Sequence, residues 1–185
     1  MEYFTLFLKK LLRYLLKPLS FLPALLMMYL IFSFSAQPGT ASGSLSLKVS
    51  KLFVLAYNRL FLRGMDNASL NELIVQIHPY VRKLAHVTEY FLLAVSVSFP
   101  LYVYRLRGFL LVIIAGAFCV SFAALDEYHQ SFIIGRVASG RDVLIDSIGI
   151  IIGIILVRIV GYIGRKTIFA GLSLDKKQAK TGGHH

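Results

Sequence analysis

Apolar and polar positions along this chain fall in blocks rather than alternating. Four apolar blocks are long enough to cross a hydrocarbon core of roughly 30 Å, which takes on the order of 20 helical residues. They are 19–35 (LSFLPALLMMYLIFSFS), 84–104 (LAHVTEYFLLAVSVSFPLYVY), 108–125 (GFLLVIIAGAFCVSFAAL) and 142–160 (DVLIDSIGIIIGIILVRIV). Short segments of strict alternation, the mark of a membrane barrel, are missing. A backbone surrounded by lipid must bond to itself within each segment, so these blocks predict helices. The expected fold is an all-α membrane protein with four transmembrane helices.

The flanks carry a second pattern. Residues 1–18 (MEYFTLFLKKLLRYLLKP) mix apolar groups with Lys9, Lys10, Arg13 and Lys17, as an amphipathic helix lying in the membrane interface does. No short apolar core with a small-residue cleavage site follows, so a cleaved signal peptide fits less well. In the long connector 36–83, QPGTASGS is turn-rich. SLKVSKLFVLAYNRLFLR then sets Lys48, Lys51, Arg59 and Arg63 among Leu and Phe, which predicts a second interfacial helix over 45–62. Ser69 and Glu72 form a capping-box pattern for the next helix, and Pro79 is expected to bend it. Residues 161–180 make a basic tail. The terminal TGGHH (181–185) resembles a tag remnant, and its histidines are set aside.

Composition agrees with this picture. The 185 residues are 57% hydrophobic and only 16% charged, with a net charge of +11. Soluble domains are nearer 45–50% apolar and about 25% charged. Much of the basic excess sits beside the apolar blocks, where it anchors to anionic lipid, so nucleic acid is not the expected partner. The single cysteine, Cys119, excludes a disulfide within one chain. With the amino terminus inside, the larger share of the 20 Lys and Arg residues falls on the inner side. The positive-inside bias therefore puts both termini in the cytoplasm.

That orientation brings an unusual set of polar groups to one side. Gln37 follows the first span; Arg82, Lys83, His86 and Glu89 open the second; Asp126, Glu127, His129 and Gln130 follow the third; Arg136, Arg141, Asp142 and Asp146 lead into the fourth. Arg82, His86, Glu89 and Leu93 share one helical face, as do Asp142, Asp146, Gly149 and Gly153. A charge at mid-membrane costs roughly 2.5–3.5 kcal/mol, so Glu89 and Asp146 should face the bundle interior and pair with Arg82, Arg136 or Arg141. The same groups as mere anchors and ion pairs would be the plain alternative. His129 alone suits an exposed loop, and Tyr90 suits packing.

Three stretches, FSFSAQPG, RKLAHVTEY and LDEYHQSFIIGRVASGRDVLIDSIGIIIG, resemble the VanZ-like family of small bacterial membrane proteins. The matching positions are Ser35 and Gln37; Lys83, His86, Glu89 and Tyr90; Asp126, Glu127, Gln130, Phe132, Gly135 and Arg136; then Asp142, Asp146 and Gly149. The resemblance spans about 19–160. It implies a multipass protein of a Gram-positive cell envelope and low-level resistance to teicoplanin, a lipoglycopeptide antibiotic. It implies no reaction.

Three roles fit the residues. In a membrane enzyme acting on an anionic, lipid-linked envelope substrate, His86, Glu89, Asp126 and Glu127 are the candidate acid–base groups. Gln37, Arg82, Lys83, Gln130, Arg136 and Arg141 are the candidate substrate contacts, the arginines suiting phosphate. Asp142 and Asp146, with Glu127, are the carboxylates that would take a divalent cation. A non-enzymatic protein that shields a head group, wall precursor or antibiotic needs only the charge complementarity. A proton-coupled lipid flippase would use Glu89 and Asp146 and, with so few spans, would need a dimer.

Overall fold

The computed structural model describes residues 17–61 and 63–167. Five helices follow one another: α1 (Leu22–Ser35), α2 (Gly39–Leu60), α3 (Asn67–Val103), α4 (Gly108–Gln130) and α5 (Gly140–Thr167), with no strand among the described residues. The interfacial helix expected over 1–18 falls almost wholly outside the described residues, as do the tag-like terminus and most of the basic tail.

Among the described residues, four segments are long and apolar enough to cross a membrane: Lys17–Ser35, Asn67–Val103, Gly108–Gln130 and Gly140–Lys166. They contain the four apolar blocks of the sequence except Tyr104, the C-cap of α3. The largest extension is in α3, whose 37 residues give a rod of about 55 Å, well beyond a hydrocarbon core of roughly 30 Å. The excess length lies in its first half, the less apolar of the two. α3 runs on through both Pro79 and Pro100, although each proline lacks an N–H and leaves the carbonyl four residues earlier without its helical donor.

Its cap also differs from the expected one. Asp66, rather than Ser69, is the N-cap, and its carboxylate accepts from the Ser69 amide at 3.3 Å. Glu72 instead accepts from Gln76 at 3.3 Å.

The connector holds more helix than its turn-rich sequence suggests. α2 begins at Gly39, directly after Pro38, and the small residues that weaken its intrinsic propensity allow its packing. Ser46, Ser50 and Val54, spaced one turn apart, are buried. The Ser46 Oγ lies 2.8 Å from His78 Nε2 on α3, which is also 3.1 Å from the Gly43 carbonyl. Val54 joins Leu70 and Ile74 in a small apolar cluster. Lys48, Lys51 and Arg59 stay exposed beside exposed Leu47, Leu52 and Leu55. α2 is not among the segments apolar enough to cross.

The main core packs Ala24 and Ile31 of α1, Tyr90, Leu93, Ala94 and Val97 of α3, Ala115, Cys119 and Ala123 of α4, and Ile150 and Ile154 of α5. Lipid is as apolar as leucine, so close van der Waals packing through small residues must hold such helices together. The tightest approach joins α3 to α5. A Cβ on Gly149 would overlap the Val87 carbonyl, and one on Gly153 would press on the Phe91 carbonyl and on Ala94. The glycine stripe is thus used inside the bundle.

Candidate functional site

α1 and α4 end where the apolar part of α3 and α5 begin, so four helix termini or entries meet at one end of the bundle. The meeting is held by a buried chain of hydrogen bonds. One carboxylate oxygen of Asp126, Oδ2, accepts from Ser35 Oγ on α1 (2.8 Å), Tyr90 Oη on α3 (3.1 Å) and Gln130 Nε2 on α4 (2.9 Å). Gln130 also donates to Ser35 Oγ at 3.2 Å. Its other amide end, Oε1, accepts from Arg136 Nη1 at 2.9 Å. Gln130 therefore links a buried acid to a buried base without direct ion contact. With its oxygen on the guanidinium and its nitrogen on the carboxylate, every bond has the right polarity.

Arg136 uses the rest of its fork on backbone. Nη2 donates to the Phe34 carbonyl at 2.7 Å and Nε to the Gln37 carbonyl at 3.1 Å. These oxygens lie at and just beyond the carboxyl end of α1, where the Phe34 carbonyl also accepts from the Gln37 amide at 3.3 Å and the helix dipole favours a cation. Arg136 is thus a helix cap reaching from the α4–α5 loop. Burial, then the like charge of Arg82, pushes its pKa below the ordinary arginine value; it stays charged, as arginine does in proteins.

Gly135 sets up this reach. Its φ is +77°, in the region that favours glycine. The Gly39 amide donates to the neighbouring Ile134 carbonyl at 3.2 Å, and a Cβ on Gly39 would overlap the Gly135 carbonyl. The loop and the start of α2 approach backbone to backbone. The other end of the loop is tied by Glu127, whose carboxylate accepts from the Ser139 amide at 2.8 Å.

In front of this framework lies a polar chamber of about 250 Å³. Its wall includes Arg82, Lys83, His86, Glu127, Gln130, Arg136, Asp142 and Asp146. Lys83 is paired with Asp142 at 2.8 Å, both half exposed. His86 Nδ1 lies 3.4 Å from Glu89 Oε2 on the next turn of α3, a loose contact. Two ionisable groups of the wall make no hydrogen bond among the described residues. Asp146 is only 4% exposed, yet its side chain accepts no hydrogen bond from a described residue. Arg82 likewise makes no hydrogen bond or ion pair among the described residues. The expected pairing of Glu89 or Asp146 with Arg136 is not made, because the guanidinium is spent on Gln130 and the α1 carbonyls.

The remaining candidates are dispersed. Gln37 and Glu89 line an adjoining cavity rather than the chamber itself. Asp126 sits one residue behind the wall, held by the buried network, with its second oxygen, Oδ1, lacking a donor among the described residues. Arg141 is exposed and lines neither cavity. Asp142 and Asp146 face the chamber, but among the described residues no three His, Cys, Asp or Glu side chains are grouped to hold a metal ion. His129 lies in α4, stacked on Phe32 with ring centroids 4.4 Å apart. Tyr90, which periodicity makes a packing residue, is in fact 1% exposed and hydrogen-bonded to Asp126. Its hydroxyl, one turn from His86, was the available clue.

The VanZ/LLP1 family profile matches residues 20–161, which include every residue of the chamber. No curated protein and no solved structure matches the chain.

Proposed function

The chain belongs to the VanZ/LLP1 family, and from that premise we propose that its chamber binds the head group of an anionic cell-envelope lipid or lipid-linked wall precursor. The observation that carries this is that Arg82 and Asp146, both in the chamber wall, make no hydrogen bond among the described residues. A buried carboxylate without a donor is costly unless something else satisfies it. Arg82 offers a planar fork suited to phosphate or carboxylate. Asp146 offers an acceptor for a hydroxyl or ammonium of the same head group. Lys83 and Asp142 neutralise each other and form the rim.

Binding asks less of the geometry than catalysis. An acid–base role for His86 would call on Glu89, whose oxygen is 3.4 Å away; head-group recognition needs only charge complementarity. The positive-inside bias supports an outer-leaflet position for the chamber. Occupying envelope precursors there would lower the access of teicoplanin-type lipoglycopeptides to their target. That is the form of resistance we propose.

Mass spectrometry of lipids retained through purification tests the binding. Wild-type protein should hold a phosphate-bearing lipid above its share of the membrane. Arg82→Gln should lower that retention about tenfold, the loss expected from a charge-assisted contact worth ~1.5 kcal/mol. Identical lipid profiles for wild type and variant would remove the proposal.

A further inference from the structure

Beside the polar chamber lies a second cavity of about 370 Å³, and its character is opposite. One wall is Leu45, Val49 and Phe53 of α2; the other is Leu84, Ala85 and Thr88 of α3. It opens sideways, since Leu45, Phe53 and Leu84 are each about 60% exposed. Gln37, Ser42, Ser46, Thr88 and Glu89 also line it. Arg82, His86 and Arg136 belong to the walls of both cavities, so the two spaces adjoin, the second being the more apolar. α2 also exposes Lys48 and Lys51 on its surface, favourable near anionic lipid.

We infer that one hydrocarbon chain of the bound lipid lies in the groove between α2 and α3 while its head occupies the chamber, the molecule bending past Arg82 and His86. The occupant is a phosphate-bearing amphiphile that enters laterally from the bilayer. This rests on the head-group reading above and adds to it a lipid tail, a route of entry and a task for α2, which is too polar to span. A soluble phosphate ester would use the chamber alone and leave the groove unfilled. A bare proton relay would use neither the apolar wall nor its alignment with Arg82.

The test uses the full chain in phosphatidylcholine vesicles with phosphatidylglycerol carrying a diazirine on one acyl chain. Photolysis should label residues 45–53 and 84–88. Val49→Trp and Thr88→Trp, on opposite walls and both at the surface, should each cut that labelling about tenfold, equivalent to ~1.4 kcal/mol. Both should leave binding of a short-chain phosphatidylglycerol to the chamber unchanged. Labelling confined to other apolar surfaces, such as the cleft at Phe21, Leu25 and Phe118, overturns the inference. So does groove labelling that neither tryptophan reduces. In both cases, short-chain binding that is lost in Arg82→Gln would leave the head-group reading standing. Groove labelling that Trp variants reduce but Arg82→Gln does not would support the groove and sink the head-group reading.

Discussion

Replacing Arg136 with alanine should unfold the polar end of the bundle, because this side chain is a structural clamp before it is a ligand contact. It makes three hydrogen bonds, to Phe34 O, Gln37 O and Gln130 Oε1, at 2.7, 3.1 and 2.9 Å. Bonds with a charged donor are worth about 1.5–3 kcal/mol each, but three on one planar group are not additive. The removed guanidinium also leaves the Gln37 carbonyl and the amide oxygen of Gln130 without their donor. A net loss of about 3–5 kcal/mol follows, within the range for breaking a buried charged contact.

At about 2–4 °C per kcal/mol for a chain of this size, Tm should fall by roughly 6–20 °C. Cys119 supplies the assay: it is the only cysteine in the sequence and fully buried, so a thiol-reactive dye reports its exposure as detergent-solubilised protein is heated. Arg136→Lys should fall between, since an ammonium keeps the charge but cannot make the fork. Arg82→Gln, which breaks no bond among the described residues, should melt near wild type. An Arg136→Ala melt within ~3 °C of wild type, a cost below about 1 kcal/mol, would refute the clamp.

The same dye assay reads four further substitutions. Asp126→Ala strands the Tyr90 hydroxyl and weakens the Ser35–Gln130 contacts, a cost of about 2–4 kcal/mol. Asp126→Asn, which keeps an acceptor oxygen, should recover at least half of it. Gly149→Ala would force α3 and α5 apart at the Val87 carbonyl, for about 1–3 kcal/mol. Gly116→Ala, whose Cβ would meet only Ile154 at ordinary contact distance, should be neutral. The Asp66 cap gives a pH dependence. Its hydrogen bonds to Ser69 hold the carboxyl below its ordinary pKa, so its stabilisation is present above the usual carboxylate range and is lost as pH falls through the lowered value. Hydrogen exchange at the Ser69 amide should quicken over that acid interval. Exchange that is flat with pH, once intrinsic rates are divided out, would count against the cap.

Periodicity and apolar length located the four membrane helices because burial in lipid leaves a continuous compositional signature. They hid the extent of α3: the cluster Arg82–Glu89 and Pro79 mark a boundary in the sequence but not in the backbone. The start of α2 was obscured for the converse reason. Gly39, Thr40 and Ser42 have weak helix propensity, and only packing of Ser46 and Ser50 on α3 makes them helical. Convergence of Lys83, His86, Glu127, Asp142 and Asp146 was legible from helix facing and from the side on which each connector lies. Which charges would satisfy one another was not. Two of the three partners of Arg136 are main-chain carbonyls about a hundred residues away, and no spacing rule points to them. The same holds for Tyr90, whose ring obeys the core pattern while its hydroxyl finishes the Asp126 network.

Phosphorus NMR of the purified protein in phosphatidylcholine nanodiscs, titrated with phosphatidylglycerol, tests the binding chamber most directly. Wild type should give a bound phosphate resonance distinct from the bulk lipid and saturating at a fixed ratio to protein. That resonance should vanish in Arg82→Gln while the Cys119 melt stays unchanged. A resonance that persists in the variant, or never separates from bulk lipid in the wild type, would contradict the account.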